Sequence, residues 1–153
     1  MYKIYIEENI HSGELLKKAL SEHLIYDYSI NYNDYGKPFL KEYSNIHFSI
    51  SHTKNICICV ISNKDVGVDI QSLKYYPNVL KHFTNNELAI IDKSKNKELD
   101  FTRIWTKKES YLKMLGYGIS YGLKKVDTVK LKNKYIEGKY KDYIYSICLS
   151  DKE

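Results

Sequence analysis

Apolar residues in this chain recur with two different periods, and together they predict both strands and helices. Ile46, Phe48 and Ile50 alternate with polar residues, which is typical of a half-buried strand. The run "ICICVI" predicts a strand buried on both faces, and "VGVDIQ" predicts a third strand. Because only the turn-like segments "HTKN" and "SNKD" separate the three, we predict a three-stranded meander.

Helical periodicity appears in two segments on either side of these strands. After a first strand, "MYKIYI", the segment "SGELLKKALSEHL" begins with Ser12 as a candidate N-cap. One face of this helix carries Leu15, Leu16, Ala19, Leu20 and Leu24. In "HFTNNELAII" we predict a helix whose start is fixed by a capping box between Thr84 and Glu87, with Phe83 packed on Leu88.

A third helical segment, "FTRIWTKKESYLKMLGYG", interrupts its own apolar pattern. The residues of one face are Phe101, Ile104, Trp105, Leu112 and Leu115. Lys108 completes that stripe and Glu109 flanks it, while Gly116 is expected to end the helix in a left-handed cap. Lys108 could lay its methylenes along the stripe and reach water with its ammonium, or this face could be shared between the core and a functional site.

The closing segments complete an α+β pattern. "VDTVKL" and "YIYSICL" are predicted to be strands around a turn at Gly138. Strand, helix, meander, helices and strands in that order indicate an α+β fold with antiparallel sheets packed against helices. A length of 153 residues without repeat or linker fits one compact domain, residues 1–153.

Composition narrows the class of protein. The chain is 43% hydrophobic and 28% charged, without an apolar run approaching the ~20 residues of a membrane span. Its first residues lack a signal peptide's apolar core, so we expect a cytoplasmic protein without membrane association. Cys57, Cys59 and Cys148 lie in strand-like apolar runs, and we expect buried thiols rather than disulfides.

The formal net charge of +5 favours an anionic partner without choosing its kind. A nucleic acid, a phosphorylated small molecule and an acidic protein all fit. The chain has 16 tyrosines, which could stack on bases. Basic and aromatic residues are nevertheless spread along the chain and no nucleic-acid motif is evident, so we expect no nucleic-acid partner.

Polar residues in two of these segments suggest a site for a small hard cation. In "VGVDIQ" the alternation puts Gly67, Asp69 and Gln71 on one face. If Glu109 packs near this strand end, its carboxylate could join the Asp69 carboxylate and the side-chain oxygen of Gln71 around magnesium, which prefers oxygen ligands. Lys108 and Lys113 would then face phosphate groups bound to the metal.

Each of these features also has an ordinary structural interpretation. An aspartate near a strand end can simply cap a turn, and Glu109 with Lys113 has the spacing of a surface ion pair on a helix. Ser51 and His52 could be no more than a polar turn. Taken singly, none of the features identifies a function.

Taken in order along the chain, the segments resemble a known family. "YGKP", "HFSISH", "VGVDI" and "FTRIWTKKESYLKMLGYG" are similar to the 4'-phosphopantetheinyl transferases of the surfactin-synthetase-activating type. The signature of that family is a G-x-D strand followed some forty residues later by W-[ST]-x-K-E-[SA]-x-x-K. Here Asp69 precedes Glu109 by 40 residues, and the second motif reads "WTKKESYLK".

The resemblance implies a fold and an activity. The fold would consist of two similar halves, with a shortened first half at about residues 1–65 and a second half at residues 66–153. The activity would be the transfer of phosphopantetheine from coenzyme A to a serine of an apo-acyl or apo-peptidyl carrier protein, with magnesium and with release of adenosine 3',5'-bisphosphate. We expect a monomer acting on an acidic carrier, or, as the alternative, a relative that binds coenzyme A without transferring it.

The resemblance also implies roles for individual residues. Asp69 and Glu109 would bind the metal, with Gln71 as a further ligand directly or through water, and Glu109 would also be the base. The catalytic residues would be Asp69, Glu109 and Lys113, and the residues that bind coenzyme A would be Gly36, Lys37, Pro38, Ser51, His52, Lys108 and Lys113. His52 would grip the 3'-phosphate with Lys37 nearby.

Two departures from the family pattern stand out. Gln71 occupies a position that is often glutamate, so a third carboxylate ligand is missing. The short segment before "SGELLKKAL" lacks the basic residues and arginine of longer relatives, so these phosphate contacts are absent from the predicted site.

Overall fold

The structure, a computed structural model, describes residues 1–151, leaving aside the side chains of residues 119, 120 and 133. Its strands and α-helices are, in chain order, β1 (Tyr2–Glu8), α1 (Ser12–Ser21), β2 (Ile30–Tyr32), β3 (Pro38–Leu40), β4 (His47–Thr53), β5 (Ile56–Ser62), β6 (Val66–Ser72), α2 (Asn85–Lys93), α3 (Lys97–Leu115), β7 (Tyr135–Tyr140) and β8 (Tyr143–Leu149). Short 3₁₀ helices span Pro77–His82, Gly118–Tyr121, Leu123–Lys125 and Lys132–Lys134. The α+β class predicted from the sequence is confirmed.

Two antiparallel sheets form the framework, with strand orders β1-β5-β4 and β6-β8-β7. The predicted three-stranded meander is therefore wrong at its last strand. β6 pairs with β8, from Val66 opposite Leu149 to Ser72 opposite Tyr143, and not with β5. β5 has no free edge for β6 because β1 and β4 occupy both of its sides.

Two serines of β4 join the sheets. The backbone amide of Val68 donates to Ser49 Oγ at 3.0 Å, and that of Ile70 donates to Ser51 Oγ at 3.2 Å. These hydroxyls take the place of the carbonyl groups that a neighbouring strand would offer to the β6 edge. The sheets thus meet along β4 and β6, which fixes the two motif-bearing segments against each other. The division into halves near residue 65 stays a prediction.

Strand β5 has a buried residue at every position, as "ICICVI" predicted. Cys57, Cys59 and Ile61 pack in the cluster beneath α1. Ile56, Ile58 and Val60 pack against the second sheet. The strand therefore separates two cores, and the strand alternation assigns successive residues to each. All three cysteines are buried and free.

The helix ends follow local sequence signals with two exceptions. Thr84 and Glu87 form the predicted capping box of α2, and Gly116 ends α3 with a φ of 74°. In α1, however, Ser12 is the first helical residue and makes no cap, since His11 stands at the N-cap position. Leu24 lies beyond the helix in a left-handed conformation with 78% of its surface exposed, so its assignment to the buried face was wrong.

The C-terminal third differs most from the sequence-based prediction. "VDTVKL" forms turns and not a strand. Gly138 lies inside β7 opposite Tyr145, and the turn to β8 falls three residues later at Lys141. A Cβ on Gly138 would come within 2.1 Å of the Tyr145 ring, so this glycine serves cross-strand packing and not turn geometry.

Helix α3 lies directly on β6. A Cβ on Gly67 would approach the Ser110 carbonyl oxygen to 1.9 Å and the Met114 amide nitrogen to 2.4 Å. The absent side chain therefore permits the close contact between strand and helix. Since Asp69 and Gln71 share the face of Gly67, they also point towards α3, and the predicted convergence of the two motifs is confirmed.

Among residues 1–151, no α-helix combines the length and the apolarity that a bilayer span needs.

Candidate active site

A cleft of about 290 Å³ lies where the β2–β3 turn, β4 and α3 meet. Its walls include Tyr35 from the β2–β3 turn, Ser49 from β4 and Leu112 from α3. Among the predicted site residues, it is lined by Gly36, Lys37, Pro38, Glu109 and Lys113. The tertiary structure thus brings together residues that are more than seventy positions apart in the chain.

Asp69 and Glu109 form a carboxylate pair beside this cleft. The Asp69 side chain is buried, and its Oδ1 accepts a hydrogen bond from Ser51 Oγ at 3.1 Å. Burial raises the pKa of Asp69. Burial, followed by repulsion from Asp69, raises the pKa of Glu109. A carboxylate that repels a neighbouring carboxylate in a partly buried place marks a position where positive charge would be stabilised.

Lys113 supplies part of that positive charge. Its Nζ lies 3.9 Å from Asp69 Oδ1 and donates to the Ile50 carbonyl oxygen at 3.2 Å. The side chain is 36% exposed, so it reaches from the carboxylate pair into the cleft. The lysine that the sequence placed near phosphate groups is therefore positioned between the acidic pair and the open space of the cleft.

Gln71 faces Asp69 with its amide nitrogen. Nε2 donates to Asp69 Oδ2 at 3.2 Å, while Oε1 accepts a hydrogen bond from Lys74 Nζ at 2.8 Å. The predicted role of Gln71 as a direct metal ligand is not supported by this geometry, because its oxygen is already bound to Lys74. Lys74 itself was missed in the sequence, where "SLKYYP" carries no pattern that would single it out.

The turn "NDYGKP" is clamped onto the end of α3. Asn33 Oδ1 accepts from the amides of Tyr35 and Lys37, both at 2.9 Å, and Asn33 Nδ2 donates to the Gly116 carbonyl oxygen at 2.9 Å. Gly36 adopts a φ of 91°, which glycine tolerates without strain. Asn33 is a second residue that the sequence analysis missed, although asparagine before a glycine turn is a recognisable turn signal.

The ammonium of Lys37 does not project into the cleft as a free charge. It donates to the carbonyl oxygens of Met114 at 3.0 Å and Val66 at 3.3 Å, and burial lowers its pKa. A lysine that binds carbonyls at the end of a helix stabilises that end. Lys37 thus ties the turn to α3 and β6, and it also lines the cleft.

Ser51 and His52 are not among the residues that line this cleft. Ser51 is 5% exposed, and its hydroxyl bonds to Asp69 and the Ile70 amide. Ser51 therefore orients Asp69 and joins the sheets, and its contact with coenzyme A stays a prediction. His52 is exposed and lines a different cleft, of about 330 Å³, beside His11 and Lys54. Lys37 lines the first cleft and His52 this second one, and the expectation that both would grip one phosphate stays a prediction.

Lys108 lies outside the cleft. Its side chain is fully buried, and Nζ donates to Glu87 Oε1 at 2.7 Å and to the Val126 carbonyl oxygen at 2.6 Å. The predicted contact with phosphate is therefore not supported, and neither is the alternative in which the ammonium reaches water. Lys108 breaks the apolar pattern of α3 because it is one half of a buried ion pair.

The donor set is small. Within the part of the chain that the structure describes, no group of three or more His, Cys, Asp or Glu side chains is placed to hold a metal ion. Asp69 and Glu109 alone provide two carboxylates. Magnesium commonly binds through one or two carboxylates and completes its shell with water and substrate phosphates, so the pair fits such an ion.

A known protein family matches the part of the chain that carries these carboxylates. The model of the 4'-phosphopantetheinyl transferase superfamily matches residues 65–151, more than half of the chain. The chain belongs to this superfamily. The match includes both Asp69 and Glu109, so the two carboxylates lie inside the segment that defines membership.

Curated relatives agree with this membership. The 4'-phosphopantetheinyl transferase gsp of Aneurinibacillus migulanus is 38% identical over 91 residues, which cover 57% of this chain and 38% of the relative. The transferase Sfp of Bacillus subtilis (strain 168) is 31% identical over 101 residues, 63% of this chain and 45% of the relative. The transferase ffp of Bacillus subtilis is 30% identical over 136 residues, which cover 79% of this chain and 59% of the relative. The chain spans about half the length of the curated relatives it matches.

Proposed function

We propose that this chain transfers the 4'-phosphopantetheine group of coenzyme A to a serine of an apo-acyl or apo-peptidyl carrier protein, with release of adenosine 3',5'-bisphosphate. The observation that carries the proposal is the pair of the buried Asp69 and the partly buried Glu109, with Lys113 reaching from it into the cleft. Membership of the superfamily supports the same chemistry.

Coenzyme A would bind along the cleft between the β2–β3 turn and α3. Gly36 and Pro38 offer backbone and an apolar ring, which suit the flat face of the adenine. Lys113 would face the diphosphate from the other wall. A volume of about 290 Å³ is smaller than the whole cofactor, so the pantetheine arm would extend to the surface, where a carrier protein can reach it.

Asp69 and Glu109 would hold magnesium. The fit rests on their oxygen donors and on their place beside Lys113 and the cleft. Burial raises the pKa of both carboxyls, so a cation bound there would stabilise their charged forms. When bound, the ion would neutralise negative charge on the diphosphate. Ser51 and Gln71 would keep the Asp69 carboxylate oriented from behind.

Glu109 would accept the proton of the carrier serine. The serine oxygen forms a bond to the phosphorus next to the pantetheine arm, and the bond from that phosphorus to the bridging oxygen breaks. The electron pair stays on the departing adenosine 3',5'-bisphosphate, and the serine proton moves to the Glu109 carboxylate. Because burial raises the pKa of Glu109, it is a better base than an exposed glutamate.

The carrier would be acidic, because the chain carries a formal net charge of +5 and opposite charge accelerates encounter. We further propose that the enzyme acts as a monomer in the cytoplasm.

The test is a transfer assay with intact-protein mass spectrometry. The chain is incubated with coenzyme A, magnesium and a panel of apo-carrier proteins, and the carriers are examined for the mass of the added arm. Asp69→Asn and Glu109→Gln should abolish transfer, whereas Asp142→Asn, in the exposed β7–β8 turn, should retain it. Modification of at least one carrier is expected.

Two results would contradict the proposal. Folded protein that binds coenzyme A but modifies no carrier would favour the alternative of a binding-only relative. Glu109→Gln with near-normal turnover at saturating magnesium would refute the role of Glu109 as base.

A further inference from the structure

A chain of side-chain contacts runs from α3 to the carboxylate pair through Thr102 and Lys74, which have no assigned role, and then through Gln71. It begins at Thr102, whose Oγ1 accepts from the Lys74 amide at 2.9 Å. The single proton of this buried hydroxyl lies within reach of the Glu98 carbonyl oxygen at 2.7 Å and the Lys74 carbonyl oxygen at 3.1 Å. The contact with the Lys74 amide fixes the Lys74 backbone to the helix that carries Glu109.

The Lys74 ammonium is held in place from two directions. It donates to Gln71 Oε1 at 2.8 Å and lies 5.5 Å from the centre of the Tyr76 ring. A lysine ammonium can only donate hydrogen bonds, and an ionised carboxylate can only accept them. The Gln71 amide lies between the Lys74 ammonium and the Asp69 carboxylate. Only one orientation, with the oxygen towards Lys74 and the nitrogen towards Asp69, satisfies both neighbours.

The orientation has a consequence for metal binding. Gln71 shares a face with Asp69 and lies next to it, where its carbonyl oxygen could serve as a neutral ligand. Lys74 occupies that oxygen, and Nε2, which is not a metal ligand, faces the Asp69 carboxylate at 3.2 and 3.4 Å. The site therefore presents two carboxylates and a donor group.

We propose that Lys74 and Gln71 act as positioning residues that keep the Asp69–Glu109 site weak for magnesium until a diphosphate arrives to complete the ion's shell. Lys74 holds the amide so that Gln71 supports Asp69 and withholds its own oxygen. The inference rests on the proposed function, because it concerns the same metal site. It predicts that the ion enters together with the diphosphate of its substrate.

Isothermal titration calorimetry of magnesium chloride into the metal-free chain tests this without coenzyme A or a carrier. Asp69→Asn serves as the blank that identifies the site. Lys74→Met frees the amide to turn its oxygen towards the ion, and we expect magnesium to bind about tenfold more tightly, the usual scale for residues behind a metal ligand. Gln71→Met removes the amide that supports Asp69, so it should bind magnesium more weakly than wild type, but by less than about tenfold since Gln71 does not ligate the ion.

The double variant separates amide orientation from simple loss of charge. Removing the positive charge of Lys74 would by itself also raise the affinity for a divalent cation, because it removes repulsion. That gain in affinity would remain when Gln71 is replaced as well. In Lys74→Met/Gln71→Met the affinity should fall back towards that of Gln71→Met, because the freed oxygen is gone. A double variant that binds as tightly as Lys74→Met would overturn the proposal, and so would a tenfold loss in Gln71→Met.

Gln71→Glu provides a second route if a Lys74 variant fails to fold. A carboxylate at this position lies beside Asp69 and should tighten magnesium binding about tenfold or more. An unchanged affinity would show that residue 71 is not adjacent to the ion, which also overturns the inference. Because no titration contains substrate, a failed transfer assay would refute the proposed function alone.

Discussion

Lys108→Met should destabilise the chain strongly while leaving coenzyme A binding intact. The ammonium contacts Glu87 and the Val126 carbonyl oxygen, and it lies 5.6 Å from the centre of the Phe83 ring. Glu87 is fully buried as well, and it also accepts bonds from the Thr84 amide and from both the amide and hydroxyl of Thr128. One ion pair thus connects α2, α3 and the segment after α3.

The magnitude follows from the charge that the substitution leaves behind. Methionine fills the space of the lysine stem but donates nothing, so Glu87 would remain as a buried carboxylate without the cation beside it. Breaking one side of a buried pair costs about 3–5 kcal/mol. The bonds retained from Thr84 and Thr128 favour the lower end, about 3 kcal/mol. For a domain of this size, 3–5 kcal/mol corresponds to a fall in Tm of about 6–20 °C.

Urea unfolding followed by circular dichroism measures the loss, and a coenzyme A titration measures binding. Lys107→Met is the matched control. Lys107 is the preceding residue on α3, and its ammonium lies 3.3 Å from the carboxylate of Glu137, which is partly exposed. Loss of that pair should cost no more than about 1 kcal/mol. In Lys108→Met/Glu87→Gln the cost should be less than the sum of the single changes, since no unpaired charge remains.

One pattern of results would refute this reasoning. If Lys108→Met unfolds at the wild-type urea concentration but binds coenzyme A much more weakly, then Lys108 contacts phosphate, as the family resemblance implied. The buried pair would then not describe the folded protein in solution.

Three further predictions concern packing, ionisation and the cleft. Gly67→Ala should lower the free energy of unfolding by more than about 3 kcal/mol or prevent folding, because its Cβ meets the backbone of α3. Gly13→Ala is the control: its Cβ meets nothing within 4 Å, so it should raise stability by up to about 1 kcal/mol. Equal Tm values for the two variants would contradict this prediction. Without metal, the folded chain holds a proton on Glu109 at pH values where the unfolded chain has lost it. Wild type should therefore lose stability relative to Glu109→Gln as pH rises above about 4.3, and a pH-independent difference in urea midpoints would exclude the raised pKa. Asn33→Ala releases the β2–β3 turn from α3 and should raise the KM for coenzyme A about tenfold, or 1.4 kcal/mol, with kcat nearly unchanged; a loss confined to kcat would argue against a role in binding.

Local signals in the sequence predicted local structure well. The capping box at Thr84 and the left-handed Gly116 each depend on contacts within a few residues, and such contacts are readable from spacing. The two-sided burial of β5 was likewise readable, because an uninterrupted apolar strand needs cover on both faces. The missed β2–β3 hairpin has three-residue strands, too short to show a period.

Strand pairing and the fate of polar residues depended on distant parts of the chain. β6 looked like the next strand of a meander, yet its partner β8 lies over seventy residues away, because the adjacent strand had no free edge. Lys108 looked like part of a phosphate site, yet Glu87, which was recognised only as a cap, lies 21 residues earlier and neutralises it in the core.

The sequence by itself determined which residues could form the site, since the two motifs carry Asp69, Glu109 and Lys113 at an interpretable spacing. Only the tertiary structure decided which of the polar residues reach the cleft. Ser51, Lys37 and Lys108 became structural contacts because each found a nearby partner on another element. A buried polar group must be paired, and the identity of that partner is a property of the fold rather than of the local sequence.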